Sequence, residues 1–466
     1  MYQSINITKG EIYNMKRTDV LIIGGSAAGI VTALTGKSNY PEKEFLLIRK
    51  EEKVMVPCGI PYIFGSLGSS DKNVIPDTVL TSKGIKIEID EIVSIDQSKK
   101  VCNTSKGTEI NFEKLILATG SIPIIPNWLK GTNLENVFTI SKDKIHLDKV
   151  FQKIKDCKKI VVIGAGFIGV EMSDELNKLG KEVTLVEILP HILGLIFDEE
   201  IAVQAEEALK TRGVKIKSGK GVKEIIGNKK VTEVLLENGE KIETEAVILA
   251  MGYRPNTGLA QKSGFKVSEG KYIKVDGYMR TENSDIFAVG DCAEKKDFIT
   301  RKPSAVMLAS TACAEARIAG MNLYKLRSVK IFEGTIAIFS TAIGETAFGA
   351  AGLTESMAKK EGCDVVIGTF DGIDKHPGTL AHTHKQMVKL IVARDSGVIL
   401  GGEVIGGTST GELTNIIGLA IQNRMTVSSV LTTQIGTHPL LTAPPTAYPF
   451  IKCAEVVAKK IKLAQK

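Results

Sequence analysis

Ile160-Val-Val-Ile-Gly-Ala-Gly-Phe-Ile-Gly169 is a short apolar run that ends in three glycines, Gly164, Gly166 and Gly169, at G-x-G-x-x-G spacing. An uninterrupted apolar run of this length reads as a parallel strand buried on both faces, and the glycines after it open a helix. A pyrophosphate is held by backbone N–H groups at a helix N-terminus, and its close approach needs residues with little or no side chain. The next strand, Glu182–Val186, is closed by Glu187, 18 residues after Gly169, where an acid accepts from ribose hydroxyls. No Arg follows within Ile188-Leu-Pro-His-Ile-Leu193, so a 2′-phosphate would meet a carboxylate with no cation. NADH is therefore expected, with NADPH disfavoured. The same plan occurs earlier, in Asp19-Val-Leu-Ile-Ile-Gly-Gly-Ser-Ala-Ala-Gly29, followed by a strand over Glu44–Ile48. There Gly24, Gly25, Ser26, Ala27 and Gly29 form the turn, with Ser26 at the middle glycine position. Two separated βαβ units predict an α/β chain with two Rossmann-like dinucleotide-binding domains.

The rest of the chain fits this frame. A length of 466 residues suggests about three domains. Hydrophobic residues at 43% and charged residues at 24% are enough to bury large cores, which sets global disorder aside. No window approaches ~18 uncharged apolar residues, so no membrane span is expected. The opening MYQSINITKGEIYNMKR has no apolar core of a secretory signal. The net charge of +7 is spread without a dense basic run, which argues against nucleic-acid binding. Seven scattered cysteines without a CxxC read as reduced thiols of a cytoplasmic protein rather than a disulfide framework.

Two further strands end in glycine turns: Leu115-Ile-Leu-Ala-Thr-Gly120, with Ala118, Thr119 and Gly120, and Ala246-Val-Ile-Leu-Ala-Met-Gly252. Beyond about residue 330 the pattern changes. Phe332–Ile338, Val365–Phe370, Met387–Ala393 and Val398–Gly402 read as antiparallel strands, with helices near Thr410–Gln422 and Thr446–Lys460. That predicts an α+β tail domain. Residues 1–15 fit no element.

Thr281-Glu-Asn-Ser-Asp-Ile-Phe-Ala-Val-Gly-Asp291 resembles the second FAD fingerprint of the flavin-disulfide reductase superfamily, T-x-x-x-x-x-[FY]-A-x-G-D. The Ala118-Thr-Gly120 turn resembles another of its recurring motifs. The resemblance implies a glutathione reductase-like architecture. An FAD-binding domain would be built from 17–145 and 258–330 and interrupted by an NAD-binding domain over 146–257. Residues 1–16 would be an N-terminal extension, and 331–466 a dimerisation domain. It also implies that Asp291 accepts from a ribityl hydroxyl, that Gly290 lets the flavin chain pass close to the backbone, and that Ala309–Ile318 is a helix aimed at the flavin.

One cysteine stands apart. Val56-Pro57-Cys58-Gly59-Ile60-Pro61-Tyr62-Ile63-Phe64-Gly65 resembles the C-G-x-P-Y-x-x-x-G motif of single-cysteine members: coenzyme A disulfide reductase, NADH oxidase, NADH peroxidase and persulfide or polysulfide reductases. Members with an internal redox disulfide carry C-x-x-x-x-C, but position 63 here is Ile. A thiol at a helix N-terminus has its thiolate favoured by the dipole, and without an internal partner it must pair with an outside sulfur or be oxidised to a sulfenic acid. Glu171 matches an acid that the superfamily places near nicotinamide and flavin.

The departures are as informative. Peroxidases and many water-forming oxidases carry a His in the first Gly-rich loop, where this chain has Ala27. Coenzyme A disulfide reductases carry two tail tyrosines. His376 stands at the position of the first, and Tyr448 lies after Pro444-Pro445 rather than before it. With Tyr62, these are the candidate substrate contacts. Thr437-His438-Pro439 resembles the C-terminal H-P-x-x-x-E of two-cysteine reductases, without its Glu, since Ala443 stands there. His438 is expected to protonate the thiolate leaving the partner subunit's site. His376, His382 and His384 read as a polar loop, and no metal is expected.

The reading is an NADH-dependent flavoprotein, a cytoplasmic homodimer, that reduces a small disulfide, persulfide or polysulfide, with a coenzyme A-linked substrate among the candidates. Its alternatives are an NADH oxidase acting on dioxygen and a reductase of an electron-transfer protein such as ferredoxin or rubredoxin.

Overall fold

A computed structural model of the chain describes residues 14–464. Among these, Val20, Leu21 and Ile22 are wholly buried in the strand Asn14–Ile23. This strand lies between two parallel neighbours, Phe45–Arg49 and Thr108–Leu117, and its second half, Val20–Ile23, is buried on both faces. Each such Leu or Ile removed from water contributes roughly 1.5–3 kcal/mol. The sheet runs Lys86–Ile89, Phe45–Arg49, Asn14–Ile23, Thr108–Leu117, Val101–Thr104, Ile92–Asp96, and Ile286–Ala288 also pairs with Thr108–Leu117. That last strand returns to the sheet after the chain has built a second one.

The second sheet is parallel throughout, in the order Val137–Thr139, Ala246–Leu249, Lys159–Ile163, Glu182–Val186, Lys215–Lys217. A ribbon of Ser121–Pro123 with Tyr253–Pro255 ties the two sheets just beyond the Gly120 and Gly252 turns. Thr119 Oγ1 donates to Asn256 O at 2.6 Å across the same junction.

The third sheet is antiparallel: Phe339–Ile343, Thr346–Gly352, Ile399–Gly406, Lys385–Ala393, Val365–Ile373. Helices Thr410–Gln422 and Pro449–Ala464 pack on it. The expected strand over Phe332–Ile338 is not formed. Gly334 at φ +122° and Ala337 at φ +58° break the extended run, and only Thr335 makes an isolated bridge, to Asp297. The strands begin instead at Phe339, and Thr346–Gly352 is an additional one.

The start of the chain also differs from expectation. Residues 14 and 15 belong to the first strand, in register with Thr108 and Glu109, while residues 1–13 lie outside the described ones. Ladder partners order this end rather than burial, since Met15 is exposed.

The second and third sheets meet at a buried ion cluster. Lys389 Nζ lies 2.8 Å from Asp198, 3.0 Å from Glu355 and 3.6 Å from Glu403, and also pairs with Glu200. Asp198 accepts from the N–H groups of Glu355 and Ser356, at the start of the helix Glu355–Lys360. No helix among the described residues is long and apolar enough to cross a membrane.

Candidate active site

Both Gly-rich turns open on one cavity of about 1190 Å³, above the ~300–1,000 Å³ of an ordinary small-molecule pocket. Ser26, Ala27, Cys58, Ala118, Gly120, Gly164, Gly166, Glu171, Glu187, Gly252, Gly290 and Asp291 all line it, and Ile338, with Phe339 and Ser340 at the start of the third sheet, closes it.

The turns have the geometry a dinucleotide needs. Gly164 sits at φ +97°, and a Cβ at Gly169 would collide with Gly164 O; Gly29 stands in the same relation to Gly24 O. These glycines, with Gly25 packed against the Arg49 side chain, are required by the fold itself. Gly166 differs: a Cβ there would meet nothing within 4 Å. Ser26, at the equivalent place in the first turn, precedes the helix Ala27–Asn39 and makes no capping bond with its side chain. Two helix N-termini with unfilled space before them fit the pyrophosphates of FAD and NADH. Glu187 accepts from Ala165 N–H at 2.6 Å and Leu189 N–H at 2.9 Å, which aims its carboxylate at the second turn.

Cys58 is exposed into this cavity and is free, as are the other six cysteines. Its loop is pinned by Asn73, whose Nδ2 donates to Val56 O at 2.9 Å and whose side chain would collide with any Cβ at Gly59. The following residues are held by the second unit: Glu175 accepts from Ser66 N–H at 2.5 Å and Ser66 Oγ at 2.9 Å. The expectation of a helix dipole behind the thiol is corrected here. Pro57–Gly59 and Pro61–Phe64 are two short 3-10 segments of three and four residues, not a continuous α-helix with an aligned dipole. The thiol is instead pushed up, by the crowding cavity walls first and by the Glu171 charge second, with Lys142 pulling it down.

Glu171 lies on the helix Phe167–Lys178 and accepts from Thr341 Oγ1 at 2.9 Å. Burial pushes its carboxyl up to about 7, with the hydroxyls of Thr341 and Tyr62 partly opposing. The Tyr62 phenol is raised by burial and then by Glu171. Asp291 is held below the usual carboxylate range: burial acts upward, but Lys142 at 2.9 Å and Ser121 at 2.7 Å outweigh it. Lys142, Thr341, Glu175, Lys295 and Glu315 were not singled out in the sequence. Only Glu315 leaves a trace there, as a lone acid in the Ala-rich helix Ala309–Met321.

His438, His376 and Tyr448 do not line the cavity of their own chain. His438 is exposed in the loop before the last helix, its Nδ1 accepting from Leu440 N–H at 3.3 Å. His376 joins this loop through its N–H to Pro439 O and its Nδ1 at 3.1 Å from Thr442 O. Tyr448 is buried in the core of the third domain with Phe450 and Cys453. His384 pairs with Asp374 at 3.1 Å.

Two nucleotide turns and one free thiol on a common cavity define a flavin- and nicotinamide-dependent oxidoreductase of the single-cysteine type. The signature of the pyridine nucleotide-disulphide oxidoreductase family matches residues 18–316, and that of the family's dimerisation domain matches 338–448. The chain belongs to this family, whose cofactors are FAD and a pyridine nucleotide. It is 30% identical to an NADH oxidase of Methanocaldococcus jannaschii over 95% of this chain and 99% of that one. It is 31% identical to an NAD(P)H coenzyme A polysulfide/persulfide reductase of Pyrococcus horikoshii, over 84% and 88% of the two chains. Among solved structures, an NAD-dependent persulfide reductase from A. fulgidus superposes with a TM-score of 0.88 at 28% identity, covering 95% of this chain and 84% of that one.

Proposed function

We propose that this chain reduces the sulfur–sulfur bond of a small persulfide, polysulfide or disulfide at the expense of NADH, through Cys58. The observation that carries the reading is a free thiol, with no cysteine partner, on the cavity shared by both Gly-rich turns. FAD, when bound, accepts hydride from NADH and hands the electron pair to oxidised sulfur, restoring Cys58. The turn at Gly24–Gly29, with Gly290 and Asp291, orients the first dinucleotide, and the turn at Gly164–Gly169, with Glu187, the second. Cys58, as thiolate, attacks the acceptor S–S bond, so that a mixed disulfide forms and a thiolate leaves. His438 of the partner subunit gives that thiolate its proton. Its Nδ1 is engaged as an acceptor, which leaves the proton on Nε2. Glu171 lines the space beside Cys58, while Tyr62 does not line the cavity and acts on it through Glu171. The division of labour is FAD over most of 17–145 and 258–330, NADH over 146–257 with the edge strand Val137–Thr139 of the second sheet, and dimerisation over 331–466, in a cytoplasmic homodimer.

Dioxygen as acceptor is the second reading, supported by the relative named an NADH oxidase at 30% identity over nearly the whole chain. Ala27, where the resemblance places a His in oxidases, favours sulfur.

Anaerobic titration tests the role of Cys58. Native protein first oxidised with acceptor, so that Cys58 carries a mixed disulfide or sulfenate, is expected to take up about two hydride equivalents per FAD, and Cys58→Ser about one, with loss of polysulfide and coenzyme A disulfide reduction. Full sulfur-reducing activity in Cys58→Ser would sink the proposal. Steady-state rates with polysulfide, coenzyme A disulfide and dioxygen rank the acceptors.

A further inference from the structure

We infer that Lys295 and Glu315 are positioning residues of the FAD site, a buried charge pair that fixes the Gly290–Asp291 turn and sets the electrostatic field behind the flavin. Both side chains are almost wholly inaccessible, at 1% for Lys295 and 0% for Glu315. They do not bond each other closely; Nζ and Oε1 are 3.6 Å apart. Each holds the backbone of one turn instead. Gly290 N–H donates to Glu315 Oε2 at 2.7 Å, while Lys295 Nζ donates to Gly290 O at 3.0 Å and Ala293 O at 2.9 Å. The pair therefore grips Gly290 by both its donor and its acceptor.

That residue is where small displacements matter. Gly290 is at φ +78°, a Cβ on it would lie 2.9 Å from Ala28 Cβ, and both it and Asp291 line the cavity. Glu315 stands three residues after Ala312, which also lines the cavity, so the two share a helix face. The clamp joins the turn and the Ala309–Met321 helix from behind.

Stability does not account for charges here. A neutral pair of similar shape in a buried site is often as stable as an ion pair or more so, because desolvation opposes the Coulomb gain. Glu315 Oε1 has no hydrogen-bond partner, so the negative charge is incompletely screened. Burial pushes this carboxyl up to about 7, with Lys295 opposing. A partly screened charge pair at low dielectric acts across several ångströms.

The test is a double-mutant cycle of Glu315→Gln, Lys295→Met and the combination, independent of which acceptor the enzyme uses. Glu315→Gln keeps an acceptor for Gly290 N–H but leaves an unbalanced ammonium. The reduction equilibrium of the bound cofactor should move toward the reduced form by about tenfold, equivalent to ~30 mV for a two-electron couple. Lys295→Met should move it the other way and loosen FAD at least about tenfold. The combination should restore the potential while FAD stays loose. Midpoint potential, FAD content after dialysis and thermal unfolding are the readouts. Equal potentials in all folded variants, with only unfolding affected, would overturn the inference. If the single variants do not fold, the combined variant decides through FAD retention: wild-type retention overturns the inference and loss upholds it.

Discussion

Cys58 and Glu171 share one end of the cavity, and their charges oppose each other. Below about pH 7 Glu171 is neutral; above it, a carboxylate disfavours a second anion on the thiol. Glu171→Gln removes this opposition. In reduced, anaerobic protein, alkylation of Cys58 by iodoacetamide should match wild type near pH 6. It should run several-fold faster in the variant by pH 8, since one unit of thiol pKa is about tenfold in thiolate at fixed pH. Mass spectrometry of the Cys58 peptide reads it, and equal rates at both pH values refute the coupling. The thiol itself was legible in the sequence from its Gly, Pro and Tyr neighbours. Its electrostatic setting was not: Lys142 comes from the loop after Val137–Thr139 and Thr341 from the third sheet.

At the scale of elements, the two strand–turn–helix units carry the proposed binding sites, and their glycines divide by physical role. Gly164 and Gly169 permit the turn, while Gly166 faces open space. Gly166→Leu is therefore expected to fold normally, with unfolding free energy within ~0.5 kcal/mol of wild type. It should keep its FAD and raise the KM for NADH at least about tenfold, by filling the approach to the helix N-terminus. An unchanged KM would mean that NADH does not pass this turn. The units were readable because local rules fix them: an apolar run, special backbone angles and an acid at fixed spacing. The run Phe332–Ile338 shows the limit. Its apolar content reads as a strand, but Gly334 and Ala337 take left-handed conformations where the chain crosses to the third sheet.

At the scale of the whole molecule, the chain crosses between layers repeatedly, and the site exists only where they meet. The first sheet is completed by Ile286–Ala288, and the second is clamped to the third through Lys389. His438 and His376 lie on joined loops away from the Cys58 cavity of their own subunit, so their proposed role requires a dimer. Mixing Cys58→Ser with His438→Ala subunits should create one intact site per heterodimer. Random exchange of symmetric dimers then gives about a quarter of wild-type disulfide reduction, from two nearly inactive parents. No recovery after verified subunit exchange would exclude a role for His438 across the subunit boundary, and full activity of the His438→Ala parent would remove His438 from the mechanism.

By itself the sequence determined the two Gly-rich turns, the single thiol without a near cysteine partner and the three-part architecture. Each rests on short-range chemistry: which residues tolerate a tight turn, which face a phosphate, and whether a second cysteine lies within reach. Only the tertiary structure decided the environment of those groups. A thiol that local reasoning placed on a helix dipole sits instead on one 3-10 turn beside a buried acid. The Gly290 turn is gripped by Lys295 and Glu315, twenty residues apart and distinguished by no motif. Burial and through-space charge depend on what packs around a residue, and that is set by segments far away along the chain.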